Sequence, residues 1–211
     1  MTHRALLLVT LLATLLGAAP PNAPPPDFSS PRAALKSFYQ AVESADIVSI
    51  RAALLSENDQ QRKLADAFTN VIAASQKLAS AAREKFGAAG DAMQISAIPK
   101  DEIAKVDAAL LKIDGDDATL QIEDRPRPIQ LHKTQDAWKI RVMHFAGATP
   151  ANISAHIDLL DQLAQILSDT AAGIASGKFV SSEQAQSAFQ DKFNAAMIQA
   201  VKPATGPATK P

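Results

Sequence analysis

The chain has no cysteine among its 211 residues. That excludes disulfides, zinc–thiolate centres, iron–sulfur clusters, thiol nucleophiles and a lipid-modified cysteine. An excess of one charge sign is also lacking: 21 basic residues stand against 22 acidic ones, a net charge of −1. This excludes the basic footprint of a nucleic-acid binder and an acidic tail. Aromatic residues make up only 5% of the chain, with one tryptophan and one tyrosine. Large apolar side chains are scarcer than the 47% hydrophobic fraction suggests, because 42 of those residues are alanine. Alanine buries little area but is the best helix former, so a helix-rich protein with a lean core is expected.

Apolar runs of membrane length are absent too. The longest is Ala5 to Leu16, twelve residues including two threonines. As a helix it spans about 18 Å, short of a bilayer core of about 30 Å. Arg4 precedes the run, and the small residues Gly17, Ala18 and Ala19 follow it. This is the pattern of a cleaved signal peptide over 1–19. The expectation is an exported protein, periplasmic or secreted, with no membrane anchor after cleavage. Five prolines between Pro20 and Pro26 mark 20–29 as an extended linker. Three more prolines, together with small polar residues, mark 202–211 as a disordered tail.

Between these ends the pattern is helical first. Ser30-Pro31 is a cap followed by proline at the first helical position. Leu35, Phe38, Val42 and Ala45 then form one stripe. Asp46 starts a short second helix. Ser56 with Asp59 suggests the start of a long third helix, which runs to Phe86 and ends at Gly87 and Gly90. The period then changes to two. Val106 to Ile113 reads as a strand ending at the hairpin dipeptide Asp114-Gly115. Ala118, Leu120 and Ile122 alternate with polar neighbours, as do Ile129 and Leu131, and Trp138, Ile140 and Val142. The expectation is a four-stranded antiparallel meander. Thr149-Pro150 reads as a second cap. From Ile153 the apolar positions 153, 157, 160, 164, 167, 171 and 174 make a seam of period 3.5. Gly177 closes that helix. Ser181 with Gln184 opens the last one, which completes a helical hairpin over 149–201.

Three stretches carry a resemblance. They are SPRAALKSFYQAVESADIVSIRAALL (Ser30 to Leu55), GDDATLQI (Gly115 to Ile122) and PIQLHKTQDAWKIRV (Pro128 to Val142). Together they resemble secreted bacterial members of the nuclear transport factor two-like superfamily. The resemblance implies an α+β domain over 30–148. In such a domain a bent, cone-like antiparallel sheet packs its concave face on the first helix. The long helix to Phe86 and the hairpin after Thr149 depart from the usual cone, and either can fill or cover its cavity. The superfamily holds isomerases, dehydratases, polyketide cyclases and non-catalytic modules, so the fold alone selects no activity.

Few residues are candidates for chemistry. Two positions past Val142, His144 is expected on the inward face at the cone mouth, where a general acid or base suits the proton-transfer relatives. The commoner role for such a histidine is at a sheet edge, bonded to backbone or water. Tyr39 stands where some relatives place a hydrogen-bond donor to a carbonyl or oxyanion. The plainer alternative is a core-boundary tyrosine with a wet hydroxyl. His132 is expected on the polar face of its strand, and His156 in the first turns of a helix. The three histidines lack close ligand spacing, so no metal site and no cofactor is expected. Asp114-Gly115-Asp116-Asp117 places glycine second, which suits a turn and not a calcium loop. Asp107, Glu123 and Asp124 are expected on a solvated face. No phosphate loop, Gly-x-Ser-x-Gly elbow or His-Glu-x-x-His motif is present.

The reading that results is an exported, non-catalytic α+β module binding an unknown small molecule or an envelope protein. One alternative is an isomerase, dehydratase or cyclase using His144 as base and Tyr39 as donor. Another is an assembly role, with self-association through Ile153, Ile157, Leu160, Leu167 and Ile174.

Overall fold

The computed structural model describes residues 25–93, 101–135 and 137–201. The expected signal peptide (1–19), the start of the linker (20–24) and the tail (202–211) lie outside the described residues. The fold class is α+β, with helices at both ends of the chain and a sheet between them.

Helix α1 (Pro31–Ser44) begins where the sequence indicates. The Ser30 hydroxyl accepts from the Ala33 amide at 3.2 Å, and Pro31 loses no bond at the first position. The helix ends at Ala45, which adopts φ +52° in the left-handed region. The Asp46 amide then donates back to the Ala41 carbonyl at 2.8 Å, and the Ala45 amide to that of Val42 at 3.2 Å. Asp46 caps the short α2 (Ile47–Ala53) by accepting from the Ser49 amide. Leu54 turns extended, and β1 (Leu54–Leu55) follows. The long α3 (Asp59–Phe86) starts one residue past Asn58, whose side chain accepts from the Gln61 amide at 3.0 Å. Asn58 is thus the cap, in place of Ser56. A 3₁₀ segment, Gly87–Met93, folds back on α3.

The run expected as a strand from Val106 is divided. Glu102–Ala108 is helix α4, and only Leu110–Asp114 is strand, β2. Val106 has no exposed surface and packs into the core from the helix. Strands β3 (Asp117–Gln121), β4 (Ile129–Thr134) and β5 (Ala137–Arg141) complete the antiparallel meander. The sheet has one more strand than expected, in the order β1-β5-β4-β3-β2. β1 runs parallel to β5, pairing Leu54 with Ile140 and Leu55 with Arg141, so the sheet is mixed. Next to β1 on the same edge, the Trp138 amide donates to the Phe28 carbonyl at 2.9 Å. Phe28 therefore ties the end of the linker to the sheet.

The strand ends before Val142. Val142–Phe145 is a single helical turn, α5. Continued alternation would turn His144 inward and Phe145 outward. The helical turn instead brings Phe145 against Phe38 (ring centroids 5.0 Å apart, 82°) and Phe68 (5.7 Å, 82°). Burying a phenyl ring among edge-to-face partners outweighs burying an imidazole.

Helix α6 (Ile153–Ala175) follows a turn in which the Thr149 amide donates to the Asn152 side chain at 2.6 Å. Its start is three residues later than Thr149-Pro150 suggests. Gly177, at φ +75°, ends it: its own amide donates to Ile174, and that of Lys178 donates to Gly173. Helix α7 (Ser182–Val201) opens with Ser181 and Gln184 in a capping exchange. The Gln184 amide donates to Ser181 Oγ at 3.3 Å, and the Gln184 side chain accepts from Val180.

Two apolar cores result. The first joins the inner sheet face (Leu120, Leu131, Ile140), α1, α2, the near half of α3 and the start of α6 at Ile153. The second joins the far half of α3 (Ala74, Leu78, Ala82) with Leu167, Ala171 and Ile174 of α6, Phe179, and Ala185 of α7. The seam of α6 thus faces α3 inside the chain: Ile153, Leu167 and Ile174 are buried, and Ile157 and Leu160 pack on the first core. The helical hairpin is not a separate appendage, because α3 supplies part of both cores. Among the described residues no helix is long and apolar enough to cross a membrane.

Candidate functional site

Helix α1 lies against the sheet with Leu35, Phe38, Tyr39 and Val42 buried. Tyr39 has 0% of its surface exposed, and its hydroxyl has no hydrogen-bond partner among the described residues. The expectation of a wet hydroxyl at the core boundary is therefore corrected. An orphaned buried hydroxyl costs about 1–3 kcal/mol, so its retention calls for an explanation. Burial pushes the Tyr39 phenol up to about 12. The nearby Arg125 guanidinium pulls against that shift, and the Glu102 carboxylate adds to it.

Three elements bring these groups together. Tyr39 comes from the middle of α1, and Glu102 is the first residue of α4, only 5% exposed. Arg125 comes from the β3–β4 connection, where Asp124 adopts φ +67°. Gln121 shapes that connection by donating to the Ile122 and Arg125 carbonyls at 3.0 and 2.7 Å. Arg125 Nε then donates to Glu102 Oε1 at 2.5 Å. The guanidinium carbon lies 5.9 Å from the Tyr39 ring centroid and 6.0 Å from that of Phe145. Behind these groups Phe38, Phe68 and Phe145 form a mutually packed aromatic wall. Farther along α1, Arg32 Nη2 donates to the Ala109 carbonyl at 2.6 Å, while its buried Nε has no partner among the described residues.

His144 does not join this cluster. It is exposed on α5, so the expected inward position beside Tyr39 is corrected by the helical turn. His156 Nδ1 lies 3.1 Å from the Asn152 carbonyl on α6. His132 does sit on the outer sheet face, though partly buried in a network. Its Nδ1 is 2.9 Å from Asp117 Oδ1, and Arg141 Nη2 reaches the same oxygen at 2.8 Å. Arg141 Nη1 also donates to Glu57 at 2.8 Å, which ties the β1–α3 connection to the sheet. The Arg141 hydrogen bond, followed by that of His132, holds the Asp117 carboxyl below its ordinary value. Asp107 pairs with Lys36 of α1 at 2.5 Å, and Asp124 with Lys105 at 3.4 Å. Among the described residues no group of three or more His, Asp or Glu side chains is placed to hold a metal ion.

Sequence reading named Tyr39 but missed Glu102 and Arg125. One faint signal existed. Arg125 lies between Asp124 and Pro126 in a connection expected to be solvated, and an arginine's long stem permits a reach inward, a signal that Arg127 shares. No family model, curated protein or solved structure matches this chain. Chemically, the cluster offers one uncommitted donor–acceptor, the Tyr39 hydroxyl, beside an ion pair and an aromatic wall.

Proposed function

We propose that this protein is an exported, non-catalytic α+β module of the nuclear transport factor two-like type that binds a small ligand at the Tyr39 cluster. One observation carries the reading: the fully buried Tyr39 hydroxyl, which has no partner among the described residues. A ligand polar atom placed against it would recover the hydrogen bond that the fold leaves unmade. Binding sites commonly combine apolar walls with a few placed polar groups, and Phe38, Phe145, Glu102 and Arg125 fit that description. The placement of α1 on the inner face of a meander supports the superfamily assignment. The Arg4 to Ala19 segment supports export. A proton-transfer enzyme using His144 would need that imidazole beside Tyr39, and it lies exposed on α5 instead.

The test is a ligand-detected NMR screen of a small-molecule library on the wild type and on Tyr39→Phe. The expected result is a set of binders whose signals are lost or strongly weakened by removing the single hydroxyl. Binders indifferent to Tyr39→Phe, or none at all, would remove the reading.

A further inference from the structure

The chemistry around Arg125 defines what the Tyr39 cluster accepts. A buried carboxylate, Glu102, faces the guanidinium at 2.5 Å. Two aromatic rings, Tyr39 and Phe145, lie within 6.0 Å of it. Those are the components of a cation cage: a buried negative charge for Coulomb attraction and ring faces for the cation–π term. The cation that fills it is the more exposed partner of the ion pair, its side chain 30% exposed against 6% for Glu102. The cage therefore meets solvent where Arg125 stands, on a connection that belongs to neither strand. The Tyr39 hydroxyl, beside the same rings, still lacks a partner.

We infer that Arg125 occupies, from within the chain, a site for an external organic cation with a guanidinium or amine head. The inference rests on the small-ligand reading of the Tyr39 cluster and specifies its ligand class. An untethered cation can place one N–H on Glu102 and another on Tyr39 Oη. Arg125 leaves Tyr39 Oη unbonded. Binding would displace Arg125 toward solvent, so the wild type binds such a cation more weakly than a chain lacking that side chain.

Chemical rescue tests this directly. Arg125→Ala is melted in methylguanidinium chloride, in the uncharged isostere methylurea, and in sodium chloride at equal concentration. At about ten times its Kd, a ligand of the native state raises Tm by roughly 3–5 °C in a chain of this size. Methylguanidinium is expected to give that saturable rise in Arg125→Ala, while methylurea and sodium chloride do not. The double variant Glu102→Gln/Arg125→Ala should lose the rise, and the wild type should need at least tenfold more cation. Stabilisation by methylurea alone would leave the Tyr39 site standing and overturn the cationic class. No stabilisation by either probe in a folded variant would overturn both. Should Arg125→Ala fail to fold, Arg125→Met keeps the apolar stem and is read in the same way.

Discussion

Arg125 and Glu102 form an ion pair of unequal burial: 2.5 Å apart, with side chains 30% and 6% exposed. The inequality makes their substitutions inequivalent. Removing Arg125 leaves the more deeply buried carboxylate without its partner. Removing Glu102 releases the more exposed guanidinium. Loss of one partner of a buried pair costs about 3–5 kcal/mol, whereas partly exposed pairs are worth about 1 kcal/mol or less. Arg125→Ala should therefore destabilise by about 3 kcal/mol, and Glu102→Gln by clearly less. Urea denaturation of the two variants gives the comparison, and equal losses would contradict the burial asymmetry.

Tyr39 carries the opposite sign. Because its hydroxyl is buried without a partner, Tyr39→Phe should be neutral or stabilise by about 1 kcal/mol. A structural hydrogen bond at this position would instead make the variant less stable. The contrast separates a residue kept for ligand contact from one kept for folding.

The same phenol has a pH signature. Its folded pKa of about 12 lies above the ordinary 10.0, so the fold favours the neutral form. That contribution is complete below about pH 10 and is lost as pH rises through the folded value. Its full loss amounts to roughly 2–3 kcal/mol. Since the chain has one tyrosine, near-ultraviolet phenolate absorbance reads this group alone. Titration near the ordinary value would show that the ring is wet.

Ala45 holds a left-handed conformation, φ +52°, that costs a residue with a Cβ about 1 kcal/mol. Ala45→Gly should raise stability by roughly that amount, offset in part by the freer unfolded chain. Differential scanning calorimetry of this variant should show a higher Tm, and a lower one would contradict the α1 end described above.

On the outer sheet face, Arg141 is the first cause of the lowered Asp117 carboxyl, ahead of His132. Arg141→Gln should move that carboxyl back up toward 3.8. A depressed carboxyl contributes stability above its ordinary value and loses it as pH falls through the folded one. The variant should thus show a shallower loss of stability as pH falls below about 4. NMR titration of the Asp117 carboxyl follows the shift itself.

What was legible in the sequence was local. Ser30-Pro31, Asp114-Gly115 and the 3.5-residue seam of α6 each encode their element within a few residues, and each element is there. The misses are tertiary. Leu54-Leu55 is too short to show a strand period, and it becomes one only because β5 offers a free edge. Val142 to Phe145 keeps the alternation in sequence, yet the pull of Phe38 and Phe68 on Phe145 converts it to a helical turn and turns His144 out. Glu102 and Arg125 are 23 residues apart on elements of different type, so no spacing rule links them. Tyr39 stood out as the single tyrosine. Its complete burial did not, because α4 packs on α1 and only the end of that helix, from Val106, fell in the run read as a strand.

Occupancy of the Tyr39 cluster by a small molecule underlies the proposed function. Native mass spectrometry of the protein isolated from its own host tests it most directly, with Tyr39→Phe produced in parallel. A small-molecule adduct is expected on the wild type, and a much weaker one on Tyr39→Phe. A wild type that carries no adduct, or one that Tyr39→Phe retains in full, would contradict it.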